Sequence, residues 1–192
     1  MSRNAWTAAC LASLAAAALV AADRPATAAA PSSDAARVER GRYLVTVLGC
    51  NDCHTPTKMG ENGPEPDMAR MLSGHPEDLV MPPAPQLPPG PWQVVASGTT
   101  TAWAGPWGVS FTRNLTPDPE TGLGSWTEQE FKDTLRSGRE RGRGRQLLPP
   151  MPWQGYGQAS DEDLGAVFAY LRSIPAVHNK VPEPIAPAAA PH

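Results

Sequence analysis

Five consecutive residues, Cys50, Asn51, Asp52, Cys53 and His54, limit what this chain can fold into more than any other stretch. Several chemistries use two cysteines three positions apart. A thiol redox pair needs a strand before it and a helix beginning at it. A zinc site needs four ligands, yet there is no second cysteine pair, and His75, His178 and His192 are isolated. A structural disulfide uses the thiols and leaves His54 idle. Covalent attachment of c-type haem uses all three residues, and Cys-x-x-Cys-His is its signature. Thiols at this spacing reach the two vinyl groups on one porphyrin edge. The neighbouring imidazole then reaches the iron from the same side. Both sulfurs become thioethers, so neither keeps a thiolate for exchange or for zinc. The expected attachment points are therefore Cys50 and Cys53, with His54 on the iron of one haem c.

The start of the chain reads as an export signal. Arg3 precedes an Ala/Leu-rich run over residues 5–22, broken only by Thr7 and Ser13, and small-residue cleavage sites follow at Ala28 and Ala30. The competing reading, an uncleaved membrane anchor, is less favoured by so much alanine. Cys10 lies too early for a lipoprotein. Cleavage removes Cys10 and leaves about 160 residues, a single-domain size. The expected division is a signal peptide over 1–30, a haem domain over 31–181, and a Pro/Ala-rich disordered tail over 182–192. Net charge is −3. Cutting after Ala28 removes two arginines and one aspartate, which makes it −4. No strong positive field is left for nucleic acid.

Three helices are legible. The first runs over 34–49, with Asp34 as cap, Val38, Leu44, Val47 and Leu48 near one face, and Gly49 at the end. It ends at the cysteine motif, the reverse of the redox-pair order. The second starts at Thr127, with Glu130 completing a capping box, and stops at Gly138. The third starts at Ser160, with Asp163 as the box partner. Leu164, Val167, Phe168 and Leu171 follow helical spacing up to Pro175. Between the first two lies a long Pro-rich loop over about 65–108, with six prolines in residues 81–92. Residues 94–111 carry the Val and Thr content of a short strand or hairpin.

A ligand opposite His54 has five methionines to come from: Met59, Met68, Met71, Met81 and Met151. Met59 is too near His54 in sequence. Met68 and Met71 read as one helical turn. Met81 and Met151 compete, and Met151 is favoured. It lies between Pro150 and Pro152, in a loop stiffened by fixed φ angles. A stiff loop loses less entropy in holding a weak thioether ligand.

The segments GRYLVTVLGCNDCHTP, PPMPW, SDEDLGAVFAYLRSIP and NLTPDPETGLGSWTEQEF resemble the class I cytochrome c family. The likeness covers residues 37–178 and extends to bacterial periplasmic cytochromes and the haem domains of dehydrogenase cytochrome subunits. It implies an all-α cytochrome c fold, with crossed N- and C-terminal helices around one covalent haem and the Pro-rich loop as an insertion. Gly41, Tyr43, Phe168 and Tyr170 are the implied crossing residues. It implies Cys50 and Cys53 as thioether sites, His54 as proximal ligand and Met151 as distal ligand. It also implies a proline carbonyl on the proximal imidazole, with Pro56 and Pro64 as alternatives.

The expected function is a periplasmic single-haem carrier that shuttles electrons between redox proteins, a dehydrogenase or an oxidase, with no small-molecule substrate. The multi-haem dehydrogenase subunits carry several such motifs, and this chain has one. The alternatives are a subunit of a larger, membrane-associated dehydrogenase, a peroxidase-like enzyme, and a gas sensor. Five arginines, Arg136, Arg139, Arg141, Arg143 and Arg145, suit a solvated loop first, and an acidic partner or a haem propionate second. Trp153, two residues past Met151, is expected to pack near the haem.

Overall fold

The computed structural model describes residues 33–187. The export segment expected over 1–30 and tail residues 188–192 lie outside the described residues. Helix α1, Asp34–Val47, is capped by Ser33, whose hydroxyl accepts from the Ala36 N–H at 3.2 Å. The cap is thus one residue earlier than predicted. Leu48 closes the helix, and Gly49 turns the chain with φ 68°. That left-handed conformation suits glycine, and it leads directly into the one-turn helix α2, Cys50–His54.

Helix α3, Glu128–Ser137, carries the predicted reciprocal capping box between Thr127 and Glu130 and ends at Gly138, with φ 67°. A short helix α4, Trp153–Tyr156, precedes α5, Asp161–Ser173. The Ser160 hydroxyl accepts from the Asp163 N–H at 3.1 Å. The Asp163 carboxylate does not return to the cap. It pairs instead with Arg40 at 2.9 and 3.2 Å, tying α5 to α1.

Helices α1 and α5 pack closely because residue 41 has no side chain. A Cβ on Gly41 would lie 1.9 Å from the Ala166 carbonyl oxygen and 2.7 Å from the Tyr170 Cβ. Of the four expected crossing residues, Gly41 and Tyr170 meet there. Tyr43 is instead exposed, and Phe168 faces α3, its ring 5.5 Å from that of Phe131. Leu44, Val45, Leu135, Leu164, Val167 and Leu171 complete this apolar core.

The expectation of an all-α fold is corrected between α2 and α3, where the short strand or hairpin expected over 94–111 is present as part of a larger β region. Strands β1, Thr57–Gly60, and β2, Gly63–Pro66, form an antiparallel hairpin. Strands β3, Val95–Ala96, β4, Ala102–Gly105, and β5, Gly108–Phe111, form a three-stranded antiparallel sheet in that order. Glycines at the hairpin turns, Gly63 with φ 115° and Gly108 with φ 92°, allow the tight reversals. Valine, threonine and tryptophan between them favour extended backbone. The Pro-rich coil lies between the two sheets.

The tail expected to be disordered from residue 182 is corrected for its first six residues. Ile185 exchanges both backbone hydrogen bonds with Val109 of β5, at 2.8 and 2.9 Å. The free edge of β5 offers unpaired N–H and C=O groups, and the tail takes them.

Buried polar side chains hold the non-helical region to the C-terminal segment. The Asn179 amide donates to the carbonyls of Ser73 and His75 at 2.7 and 2.8 Å and accepts from the Glu77 N–H at 2.9 Å. The Asn114 amide donates to the Val177 carbonyl at 2.8 Å, and its oxygen accepts from the Thr116 N–H and hydroxyl. Thr55, Thr101 and Thr116 are also buried.

Candidate functional site

One cavity of about 750 Å³ gathers the residues that the sequence singled out: Cys50, Cys53, His54 and Met151 all line it. That volume is typical of a small-molecule or cofactor site. Met59, Met68, Met71 and Met81 are not among its lining residues. Leu135 of α3, Leu164, Val167 and Leu171 of α5, and Leu148 supply apolar walls.

Each side is held by a local turn and by hydrogen bonds between distant segments. The left-handed Gly49 aims α2 at the cavity, and the hydroxyl of Tyr156 donates to the Leu48 carbonyl at 2.7 Å. That bond ties the segment after Met151 to the end of α1, two residues before the motif. His54 is buried, and its Nδ1 donates to the Arg113 carbonyl at 2.7 Å. A carbonyl only accepts, so the proton sits on Nδ1 and the Nε2 lone pair stays available. Burial lowers the imidazole pKa, and the bond to Arg113 partly opposes it. Such a bond is the usual way to orient a ligating histidine.

The carbonyl is that of Arg113, so the two candidates Pro56 and Pro64 are corrected here. Gly74 lets the chain come close at this point. A Cβ there would lie 2.4 Å from the Thr112 oxygen.

The thiols suit attachment better than exchange. Burial pushes the Cys50 pKa up to about 11, and burial, then the Asp52 charge, raises that of Cys53. Reactive redox cysteines have lowered values. Both cysteines are free.

Among the described residues two buried donors lack hydrogen-bond partners, Trp103 Nε1 and Arg145 Nε, the latter 3.8 Å from the Glu140 and Glu183 carboxylates, and both residues line the cavity. Buried donors are rarely left unpaired. A haem brings two carboxylates that would accept from them. The cavity, its apolar walls, the cysteine pair, a histidine with a free nitrogen and these donors together fit a haem.

Of the five arginines, Arg141 and Arg145 reach the cavity. Arg143 is exposed, and Arg136 ties α3 to the Gly157 carbonyl and Asp161. Trp153 does not line the cavity. Its indole packs on Gly138, where a Cβ would lie 2.4 Å from it. Sequence reasoning missed Arg113, Ser110, Trp103 and Tyr156. A backbone carbonyl has no sequence signature, and the other three act through folding that brings distant residues together.

No family profile matches the chain. It is similar to one of the subunits of nicotinate dehydrogenase from Pseudomonas putida, with 30% identity over 151 residues, covering 79% of this chain and 10% of that protein. It is similar to the fructose dehydrogenase cytochrome subunit of Gluconobacter japonicus, with 29% identity over 147 residues, covering 77% and 22%. A shorter match joins it to the gluconate 2-dehydrogenase cytochrome c subunit of Pantoea cypripedii, with 38% identity over 68 residues, covering 35% and 15%. The chain thus spans less than a quarter of each of these three relatives.

Proposed function

Because this chain belongs to the cytochrome c family and carries covalently bound haem c with its iron, we propose that it is an exported single-haem electron carrier. It works in the periplasm between a donor such as a dehydrogenase and an acceptor such as an oxidase. Cys50 and Cys53 would anchor the haem edge through thioethers, His54 would be the proximal ligand, and Met151 the distal one. The observation that supports this reading most is the shared cavity: Cys50, Cys53 and His54 of α2 and Met151, about a hundred residues later, line it together.

When bound, the haem supplies an iron that cycles between ferrous and ferric states. The chain supplies the rest. The Arg113 carbonyl holds the His54 proton on Nδ1, which fixes the tautomer and makes Nε2 a stronger ligand. A methionine thioether opposite histidine raises the potential. Leucine walls would exclude water, and Trp103 Nε1 and Arg145 Nε would donate to the haem carboxylates. With both His54 and Met151 on the iron, neither peroxide nor a gas would have a place to bind. The chain therefore acts as an electron carrier and not as an enzyme.

A second reading is favoured by the relatives, several of which are named as cytochrome subunits of dehydrogenases. On that reading the chain is the electron-transfer piece of a larger, membrane-associated dehydrogenase.

The test is production of the full chain with the haem-attachment machinery, followed by intact mass and spectroscopy. One covalent haem per chain, low-spin spectra in both oxidation states and no CO binding to the ferrous form are expected. A high-spin ferric form or ready CO binding would favour the enzyme or sensor instead. Stable co-purification with a dehydrogenase from the native host would favour the subunit reading.

A further inference from the structure

We infer that residues 110–113 are a spacer that holds both candidate iron ligands at a set separation, with Ser110 as the positioning residue on the Met151 side. This rests on the reading of Met151 as distal ligand. Ser110 lies on β5 and is buried. Its hydroxyl donates to the Pro149 carbonyl at 2.6 Å, two residues before Met151. Trp107 Nε1 donates to the same hydroxyl at 3.3 Å, which orients its proton toward Pro149. Three residues further on, the Arg113 carbonyl accepts from His54 Nδ1.

The segment between these two contacts is clamped. Ser110 pairs with Trp103 and Phe111 with Ala102 in the β4–β5 register. The Thr112 N–H donates to the Thr101 carbonyl at 2.9 Å, and the Thr112 carbonyl accepts from the His75 N–H at 2.9 Å. Three extended residues span at most about 10 Å. This short segment, the end of β5 and the two residues after it, therefore fixes the distance from the proximal anchor to the distal loop.

The distal loop needs such an anchor. Pro149, Pro150 and Pro152 remove three backbone donors around Met151. The Met151 N–H reaches only the Leu148 carbonyl, at 3.3 Å. After Met151, the Pro152 carbonyl caps α4 by accepting from Gly155 and Tyr156. Before it, the carbonyl of Pro149 is the handle, and Ser110 holds it. A thioether is a weak ligand, so it is the first to let go when this anchor is lost.

The experiment uses the haem-loaded full chain and four variants: Ser110→Ala, Ser110→Thr, Met151→Ala and Ile174→Val. Ile174 belongs to the helical core and not to the cavity lining, so it reports general destabilisation. The readouts are cyanide affinity of the ferric form and the pH at which its weak far-red sulfur-to-iron band is lost. Ser110→Ala is expected to bind cyanide roughly 3- to 10-fold more tightly, the scale of one neutral hydrogen bond, and to lose the band at lower pH. Ser110→Thr restores both, and Ile174→Val moves neither.

If Met151→Ala abolishes the band while Ser110→Ala behaves like wild type, the spacer is wrong and Met151 stands as ligand. If Met151→Ala leaves the band intact, the ligand assignment fails and the spacer fails with it. Should Ser110→Ala not load haem, Ser110→Cys keeps the size with a weaker donor and is read in the same way.

Discussion

The helices and the non-helical region 55–116 are held together in different ways. Between α1, α3 and α5 the buried contacts are apolar, leucines, valines and two phenylalanines with backbone against backbone at Gly41, and the ion pairs Arg37–Glu128 and Arg40–Asp163 lie around their rim. Between α2 and α3 the buried side chains are largely polar: Thr55, Ser73, His75, Thr101, Ser110, Asn114 and Thr116, joined by Asn179 from the C-terminal segment. Each region supplies part of the cavity. Apolar packing tolerates small shifts, whereas hydrogen bonds have narrow geometry. The polar region is therefore the one suited to set ligand positions, and both the Arg113 carbonyl and the Ser110 hydroxyl belong to it.

The largest expected stability loss comes from the apolar side. Leu164 is 1% exposed, and Leu164→Ala should cost about 2–5 kcal/mol in denaturant unfolding. A loss well under that would mean that haem contacts, and not leucine packing, carry the helical core. Next comes Asn179→Ala, which leaves the Ser73 and His75 carbonyls and the Glu77 N–H without this partner. The expected loss is about 1–3 kcal/mol. It should also disturb the His54 side, seen as a changed reduction potential, which Ile174→Ala, in the core but not in the cavity lining, should not reproduce at matched stability. A potential that tracks stability alone in both variants would erase the distinction between the regions.

A smaller effect should appear with pH. His75 is fully buried, with Nε2 donating to the Leu79 carbonyl and Nδ1 accepting from the Thr101 hydroxyl, both at 3.0 Å. Burial lowers its pKa below the ordinary 6.5. The unfolded chain then takes the proton more readily. Its contribution to stability is complete above about pH 6.5 and falls as pH drops through the folded-state value. Urea melts of the loaded protein between about pH 7.5 and 5 should lose stability by less than about 1.4 kcal/mol per pH unit, the limit for one proton. The slope should flatten in His75→Gln. An unchanged slope in that variant would assign the pH dependence to other groups.

The smallest effect is expected at the exposed Arg40 and Asp163 pair. Arg40→Ala should change unfolding little, and any change should fade with added salt. A large, salt-independent loss would give α1 and α5 a polar lock that Gly41 alone does not explain.

The same contrast explains what the sequence revealed. Thr127, Glu130 and Gly138 marked α3 because capping chemistry is local. Leu164, Val167, Phe168 and Leu171 marked α5 because one face is apolar, and all four are buried. In α1 the buried residues are Gly41, Leu44 and Val45, while Val47 is exposed. Gly41 sits on the inner face with no side chain to signal it, so periodicity chose partly wrong residues. Buried threonines, asparagines and a histidine read as surface in a sequence, since their partners lie up to 106 residues away. The five-residue motif was legible because its spacing is chemical. The Arg113 carbonyl was not, because every residue has one.

The central claim is that Met151, which lines the same cavity as His54, is the distal ligand. The most direct measurement is proton NMR of the ferrous, haem-loaded protein with methyl-labelled methionine. One methionine methyl should be shifted far upfield by the haem ring current, and it alone should vanish in Met151→Leu. An upfield methyl that persists in Met151→Leu, or that vanishes in Met81→Leu, would contradict the account.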